Sequence, residues 1–192
     1  MPAVWPAFIA PMTSWFNANA ENGTTASNGA KTAAMIASTY QAAVMTAGVF
    51  PYGNIKLAGF VAAQVDAGFT ACFAMQAASL SDKPMGLPPY ILAAQGVVAS
   101  WAAAQYAPVP PHPPDIIPSP GVQQIQPGTP GMMPLALAIQ AAFNSQSPAA
   151  IAPLLAQGFM AHMMTISGVY LGLIASPSGP IPGPPIPWMG VV

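Results

Sequence analysis

Two stretches of the sequence follow the same plan and decide the expected fold. Residues 74–100 read AMQAASLSDKPMGLPPYILAAQGVVAS, and residues 138–162 read AIQAAFNSQSPAAIAPLLAQGFMAH. Each starts with an apolar segment containing Gln-Ala-Ala, breaks at polar residues and proline, and resumes in an apolar run containing Ala-Gln-Gly. Because proline interrupts a helix but suits its first position, each stretch predicts a helical hairpin. The similarity favours an internal duplication over coincidence in an alanine-rich chain.

The residues around these stretches divide the chain into five predicted parts. They are an extended N-terminal arm and loop (1–31), a first helical unit (32–106), a proline-rich linker (107–133), a second helical unit (134–176) and a proline-rich C-terminal arm (177–192). Proline-rich segments favour extended backbone without internal hydrogen bonds. The predicted fold class is therefore mainly α, with two duplicated helical hairpins and proline-rich extended arms.

The hydrophobic pattern predicts individual helices within the two units. They cover residues 32–49 with Thr32 as N-cap, 57–80, 90–106, 134–143, and 148 to about 175 with a kink or restart at Pro153. The second of these is apolar on nearly every face, which predicts burial on all sides. In the last helix, bulky side chains recur every three or four residues and predict one buried stripe: Leu155, Phe159, Met163, Ile166, Tyr170 and Leu173. Gly168 and Gly172 form a GxxxG motif, which suits membrane helix pairing or tight packing in a water-soluble bundle.

Charged side chains are rare in this sequence. It contains three lysines, no arginine and four acidic residues, so that 4% of its residues are charged and 54% are hydrophobic. An ordinary soluble domain carries roughly 25% charged residues. Nucleic-acid binding is excluded, because it requires many lysines and arginines to neutralise phosphates. A surface with so few charges tends to associate, so we expect other protein chains or a bilayer to cover much of it.

The residues available for catalysis or metal binding are few, and they predict no enzyme, no cofactor and no metal site. Cys72 is the single cysteine, so there is no disulfide framework. His112 and Asp115 flank two prolines, and His162 is interpreted as a hydrogen-bonded packing residue among methionines. No cluster of three or four metal ligands and no phosphate-binding or nucleophile-elbow motif occurs. A nucleophile pair of Cys72 and His162 stays open as a distant enzymatic alternative.

The layout of the chain also carries a resemblance to a known class of proteins. Uncharged Ala/Gly-rich helices are joined by PVPPHPP (108–114), and the chain ends in GPPIPWMGVV (183–192). In this respect it resembles small structural proteins of tailed-phage particles, especially those of the tail or baseplate. The resemblance implies a non-enzymatic virion component that is present in symmetric copies.

The leading functional prediction is a non-enzymatic structural subunit of a large assembly, located in a virion or another large soluble particle. Its partners would be homo-oligomeric copies and further structural proteins, with apolar helices packing between subunits and proline arms lying along neighbours. Aromatic side chains dominate interface energetics. The predicted contact residues are therefore Trp5, Trp15, Trp101, Phe159, Tyr170 and Trp188. The alternative is a small integral membrane protein, holin-like or pore-forming, with candidate spans at 57–80 and 154–175.

Overall fold

The described part of the chain is mainly α, as the sequence predicts. The computed structural model describes residues 5–19, 26–45, 49–50, 53–54, 57–78, 86–106, 124–145, 147–170, 173–174, 176–182 and 186–189. Its α-helices are α1 (Pro6–Ala18), α2 (Ala26–Val44), α3 (Ala62–Ala78), α4 (Pro88–Trp101), α5 (Met132–Phe143) and α6 (Pro148–Met163), and a 3-10 helix (Thr129–Gly131) precedes α5. Its short strands are β1 (Val49–Phe50), β2 (Gly53–Asn54), β3 (Leu57–Ala58), β4 (Gln105–Tyr106), β5 (Gln124–Gln126), β6 (Ser167–Tyr170), β7 (Leu173–Ile174), β8 (Ile181–Pro182) and β9 (Ile186–Met189).

The six helices form a closed ring. Each packs against the helices that precede and follow it in the chain, and α6 closes the ring by packing against α1. The ring therefore contains α3–α4 and α5–α6 as neighbouring pairs, which correspond to the two stretches that predict hairpins. Their origin by duplication stays a prediction.

Aromatic side chains from every helix fill the centre of the helical ring. Phe159 of α6 lies at one hub, with ring centroids 5.4 Å from Phe8, 4.5 Å from Tyr40 and 6.4 Å from Phe69. Phe143 of α5 is the centre of a second aromatic cluster. It contacts Phe16, Phe69, Phe73 and Tyr90. Such pairs add about 0.5–1.5 kcal/mol each beyond the area they bury. Much of the apolar content of the chain is thus used inside it.

The N-terminal segment contains a helix, so the extended arm predicted for residues 1–31 is wrong over α1. Pro6 occupies the first helical position, where a missing N–H costs no helical hydrogen bond. Phe8, Met12 and Phe16 recur every fourth residue and are buried. Their burial holds the helix although Pro11 lies inside it, a position that ordinarily costs about 3 kcal/mol.

Helix α2 begins at Ala26, so the prediction of Thr32 as its N-cap is wrong. Thr32 lies inside the helix, and its hydroxyl donates to the carbonyl oxygen of Asn28 at 2.8 Å. The same hydroxyl accepts a hydrogen bond from Trp15 Nε1 at 3.0 Å. Threonine tolerates a mid-helix position when its hydroxyl bonds back to the preceding turn. The contact with α1 depends on a helix that the sequence pattern did not predict.

Helices α3 and α4 are shorter than predicted. The residues just before α3 and after α4 pair as β3 and β4, with Leu57 opposite Tyr106 and Ala58 opposite Gln105. The prediction that the second helix is buried on all sides is also wrong. Only one side of α3 is buried, with the side chains of Val65, Phe69, Cys72 and Phe73. Alanine occupies most of its other positions, and its single methyl group fits an exposed surface as readily as a core.

The start of α6 is confirmed at Pro148, but its predicted end near residue 175 is wrong. The helix passes Pro153 without a break and ends at Met163. The amides of Thr165 and Ile166 then bond to carbonyls three residues back, which tightens and closes the last turn. Beyond that turn, β6 contains glycine and β-branched valine, and valine favours strand over helix.

The strand β6 removes the helical basis of two predictions about residues 164–175. Gly168 lies in a strand, so the GxxxG motif cannot be a helix-packing surface. Of the predicted buried stripe, the first four members are confirmed as buried: Leu155, Phe159, Met163 and Ile166. Tyr170 and Leu173 lie in strands, and their side chains are outside the described residues.

A three-stranded antiparallel sheet carries parts of both predicted proline-rich segments. Its order is β5–β6–β9, so β6 is central and the other two strands lie at its edges. Pro187 lies in β9 opposite Val169, and an edge strand tolerates proline because one side of its backbone is unpaired. Of the linker predicted at 107–133, residues 107–123 lie outside the described residues. The same is true of 183–185 and 190–192 in the C-terminal arm.

Candidate functional site

Two of the predicted contact residues, Trp101 and Phe159, lie inside the chain's own core. Both are 0% exposed. Trp101 Nε1 donates a hydrogen bond to the hydroxyl of Tyr40 at 2.9 Å, and its ring lies edge-on to Phe60 with centroids 5.3 Å apart. A fully buried ring has no surface left for a partner. These two residues therefore stabilise the fold and do not belong to a contact surface.

Trp5 and Trp15 lie at the border of the core. Both are half-buried. Trp5 contacts Phe8 and Tyr40, with ring centroids 6.3 Å and 6.5 Å apart. Because each keeps part of its surface exposed, both stay predicted contact residues.

The last two predicted contact residues, Tyr170 and Trp188, lie in adjacent strands. Tyr170 of β6 pairs with Ile186 of β9, and Trp188 of β9 pairs with Gly168 of β6. Their side chains are outside the described residues, so their contact role also stays a prediction.

The most prominent group of exposed large apolar side chains lies on α5 and α6. Met133 is 44% exposed and Leu137 is 53% exposed on α5, and Met160 is 38% and Met164 59% exposed at the end of α6. Within each pair the residues are four apart, which places them on one face of a helix. We call these four residues the Met/Leu face.

The packing of α5 against α6 brings both pairs to the same end of the hairpin. Gly131, just before α5, lies against Thr165, and Gly158 of α6 lies against Ala138 of α5. The two helices are therefore antiparallel, and the first turns of α5 lie beside the last turns of α6. Both exposed pairs therefore lie toward the same end of this hairpin, one pair on each helix.

The Met/Leu face is free of charge. Neither α5 nor α6 contains a lysine, arginine, aspartate or glutamate. Among the described residues, charged side chains occur only at Lys31 on α2 and Asp66 on α3. Clustered apolar exposure on a folded chain indicates an interaction surface. Because no charge lies on these two helices, a contact at these residues would depend on apolar packing.

Cys72 has the properties of a structural thiol. It is fully buried in α3, and burial raises its pKa to about 12. Because the thiolate is the nucleophile, a thiol that stays protonated at neutral pH is unreactive. Gln76 and Tyr90 are its neighbours, and Gln76 Nε2 lies 3.8 Å from the sulfur.

His162 lies in the last turn of α6 and is 1% exposed. Burial lowers its pKa to about 4, and interactions with the backbone of Pro127 and Gly128 act in the opposite direction without reaching hydrogen-bond geometry. The interpretation as a packing residue fits this burial, but neither ring nitrogen makes the expected hydrogen bond to a described residue. Since its neighbours differ from those of Cys72, the described contacts do not join the two residues as a nucleophile pair.

The described ranges contain no group of three or more histidine, cysteine, aspartate or glutamate residues that could hold a metal ion. His112 and Asp115 lie outside them. Within the same ranges, no helix is both long enough and apolar enough to cross a membrane. The candidate spans at 57–80 and 154–175 are each interrupted, because a strand precedes α3 and another follows α6.

The Met/Leu face was not predicted from the sequence. Its two rows have the spacing of a helix face, but so does the stripe from Leu155 to Ile166, which is buried. In helices that are apolar on most sides, spacing alone does not tell which row is buried. The one available signal was the methionine content of the outer rows.

Comparison with known proteins adds no relative. No family model, no curated protein and no solved structure matches the chain. The functional conclusion therefore depends on the geometry of this chain.

Proposed function

We propose that this protein is a non-enzymatic structural subunit of a large protein assembly, and that its Met/Leu face packs against a second copy of the chain. The observation that carries the proposal is the exposure of Met133, Leu137, Met160 and Met164 at one end of an uncharged hairpin. Covering them would remove apolar surface from water at about 25 cal/mol per Å².

A second copy is the partner that the chemistry of this face favours. A two-fold axis sets a surface against itself, so any charge on it would meet a like charge or need an offset opposite charge. No like charges would meet across such an axis at the Met/Leu face, because α5 and α6 carry no charged residue. Methionine side chains are flexible and polarisable, which lets the same surface pack against itself. A partner that depends on ion pairs would find none on these helices.

The rest of the chain supports an assembly with more than one contact. Trp5 and Trp15 keep part of their surface exposed. Tyr170 lies in the central strand β6 of the sheet, and Trp188 lies in the neighbouring edge strand β9. Together with the proline-rich segments, these residues are the proposed contacts to further subunits. The scarcity of charge over the whole sequence and its resemblance to tailed-phage structural proteins support a virion as the setting, in the tail or baseplate.

Light scattering coupled to size-exclusion chromatography tests the contact. The full chain is measured over a range of concentrations, as wild type and as the double variant Leu137→Gln/Met164→Gln. We expect the wild type to exceed the monomer mass of 19.5 kDa, and the double variant to associate at least tenfold more weakly, since about 1.4 kcal/mol of lost contact energy is a tenfold change.

Met75→Gln is the matched control for this experiment. Met75 on α3 is 44% exposed, the same fraction as Met133, but lies on the other hairpin. It should leave the association constant unchanged, and thermal unfolding should show that all variants fold. A wild type that stays monomeric in dilute buffer, or a double variant that associates as tightly as the wild type, contradicts the proposed contact.

A further inference from the structure

The junction between the sheet and the end of α6 contains a buried, unpaired ionisable group. His162 is 1% exposed, and both of its ring nitrogens lack a hydrogen-bond partner among the described residues. Buried polar groups in proteins are ordinarily hydrogen-bonded. An exception at a junction between two parts of the fold indicates that the ring has a purpose besides packing.

The turn between β5 and the 3-10 helix lies directly on this ring. A Cβ atom at Gly128 would lie 2.7 Å from Thr165 Oγ1 and 2.9 Å from His162 Nε2. One at Gly131 would lie closest to Thr165 Oγ1 and 3.2 Å from His162 Cδ2. Gly128 has a positive φ of 71°, which glycine adopts without strain. The two glycines therefore allow the backbone of the turn to approach Thr165 and the imidazole more closely than other residues could.

A hydrogen-bonded clasp beside the ring joins the same two parts. The Thr165 hydroxyl lies 2.7 Å from the carbonyl oxygen of His162 and 3.3 Å from that of Gly128, and it can donate to either. From this point β5 runs along β6, with Gln126 opposite Ser167. The imidazole of His162, the turn and the strand pair thus form one contact between the sheet and the helical ring.

Among the residues that the structure describes, a protonated His162 would have no counter-ion at this junction. The elements around it are α1, α5, β5, the 3-10 helix, β6 and the rest of α6, and none contains an aspartate, glutamate, lysine, arginine or second histidine. The single further ionisable side chain on these elements is that of Tyr170 in β6, and tyrosine is neutral below about pH 10. Burying an unpaired charge is strongly unfavourable, so the closed junction requires the neutral imidazole.

We propose that protonation of His162 opens this clasp in acid. The turn at Gly128 and strand β5 then detach from the end of α6, while the helical ring stays folded. Within the described residues the released part is short, since β5 has three residues there and pairs with β6 alone. Short edge elements open at lower free energy than a packed core. This inference does not depend on the proposed contact between two copies of the chain.

The direction of the pH effect follows from proton linkage. In the released state the ring titrates near its ordinary value of 6.5, and in the closed state its pKa is lowered to about 4. Below pH 6.5 the released state therefore binds the proton first. Each unit by which the pH falls then shifts the equilibrium by up to tenfold toward the released state. Between pH 6.5 and pH 4 the opening constant of the clasp should rise by about 80-fold.

Amide hydrogen exchange of the full chain tests the clasp. Protection factors, corrected for the intrinsic pH dependence of exchange, are compared at pH 7 and pH 4 for the amides of residues 124–131 and for those of α3. We expect protection to fall in 124–131 and to hold in α3. His162→Gln should keep the protection of the wild type at pH 7 and lose the acid response, whereas His112→Gln should retain that response.

Gly128→Ala provides a second variant that does not depend on the folding of His162→Gln. Its methyl group meets the Thr165 hydroxyl and the imidazole and its φ becomes strained, so residues 124–131 should be poorly protected already at pH 7. Three results would overturn the proposal: constant protection of 124–131 in the wild type, loss of protection in α3 at the same pH, or an unchanged acid response in His162→Gln. Full protection of 124–131 in Gly128→Ala would overturn it as well.

Discussion

The two helical hairpins, α3–α4 and α5–α6, hold together in different ways. In α3–α4, backbone faces backbone: a Cβ atom at Gly68 would lie 2.8 Å from the carbonyl oxygen of Leu92 and 2.9 Å from Cα of Gly96. In α5–α6, a Cβ atom at Gly158 would instead lie 2.8 Å from the methyl carbon of Ala138. The same Ala-Gln-Gly triplet therefore meets a bare backbone in one hairpin and a side chain in the other. A repeated sequence sets the position of a glycine on its own helix. The residues of the partner helix decide how closely the two backbones approach at that glycine.

The hairpins also differ in their outer faces and in their ionisable groups. On α3 the exposed large apolar side chain is Met75, whereas the other hairpin carries the Met/Leu face. The first hairpin contains Cys72 and Tyr90, whose pKa values burial raises to about 12. The second contains His162, whose pKa burial lowers. One hairpin should therefore respond to alkali and the other to acid.

The largest effect is expected for Gly96→Ala in the first hairpin. The new methyl group would overlap the carbonyl oxygen of Gln64 and the backbone of Gly68, and backbone atoms cannot turn away as the end of a side chain can. Because the obstacle is backbone, overpacking here should cost about 4 kcal/mol, just above its usual range of 1–3 kcal/mol, and better helix propensity returns about 1 kcal/mol. We expect a net loss of about 3 kcal/mol in the free energy of unfolding, measured by urea denaturation.

Gln95→Ala is the control for that measurement. Gln95 is exposed beside Gly96 on the same helix, and a surface change of this kind should alter stability by no more than about 0.5 kcal/mol. If Gly96→Ala is as stable as the wild type, the backbone contact that distinguishes the two hairpins is absent.

The next largest effect is an alkaline loss of stability that arises in the first hairpin. The pKa of Cys72 is raised from 9.0 to about 12, so above pH 9 the unfolded state releases the thiol proton first and is favoured. The loss is about 1.4 kcal/mol per pH unit, or roughly 2 kcal/mol by pH 10.5. Urea midpoints measured from pH 8 to 10.5 should show this slope in the wild type and a smaller slope in Cys72→Ala.

His162→Gln serves as the control from the second hairpin and should retain the alkaline slope of the wild type. Tyr90 adds to the slope above pH 10, because its pKa is raised in the same direction. An equal alkaline slope in Cys72→Ala and the wild type would mean that the buried thiol does not make the first hairpin sensitive to alkali.

The smallest effect is expected for Gly158→Ala in the second hairpin. The added methyl group meets the methyl group of Ala138, and a small outward shift of the two helices relieves the contact at a net cost of about 1 kcal/mol. Because the obstacle is a side chain, Ala138→Gly should restore the lost stability in the double variant. A double-mutant cycle of urea unfolding energies measures this coupling.

The first hairpin supplies the contrast for this rescue. Gly96→Ala has no equivalent second change, since Gly68 already lacks a side chain. If Ala138→Gly fails to recover stability in the Gly158→Ala background, the two hairpins are held by the same kind of contact and the comparison fails.

Several features could be predicted because they depend on neighbouring residues alone. Pro148 starts α6 as predicted, and Pro88 starts α4 near the predicted position. Proline acts locally, by fixing its own φ angle and removing its own N–H group. The inward stripe of Leu155 and Phe159 could be predicted for a similar reason, since it depends only on the period of one helix.

Other features depended on contacts that no local pattern contains. The helix that contains Pro11 forms because Phe8, Met12 and Phe16 are buried, and that burial outweighs the local cost of the proline. Similarly, the chain leaves α6 at Met163 for a strand whose partners, β5 and β9, lie far away in the sequence. Burial of Trp101 and Phe159 could not be foreseen either, because an apolar ring suits a core and an interface equally well.

The sequence by itself determined a mainly helical, nearly uncharged chain with two similar helical stretches, because helix breaks and charge content are properties of individual residues and their near neighbours. Only the tertiary structure decided that the helices close into a ring, that Trp101 and Phe159 lie inside it, and that Met133, Leu137, Met160 and Met164 lie outside. In helices rich in alanine and methionine, nearly every face is apolar enough to be buried. The face that is buried is then selected by the sum of contacts across the whole bundle, above all those among its aromatic rings.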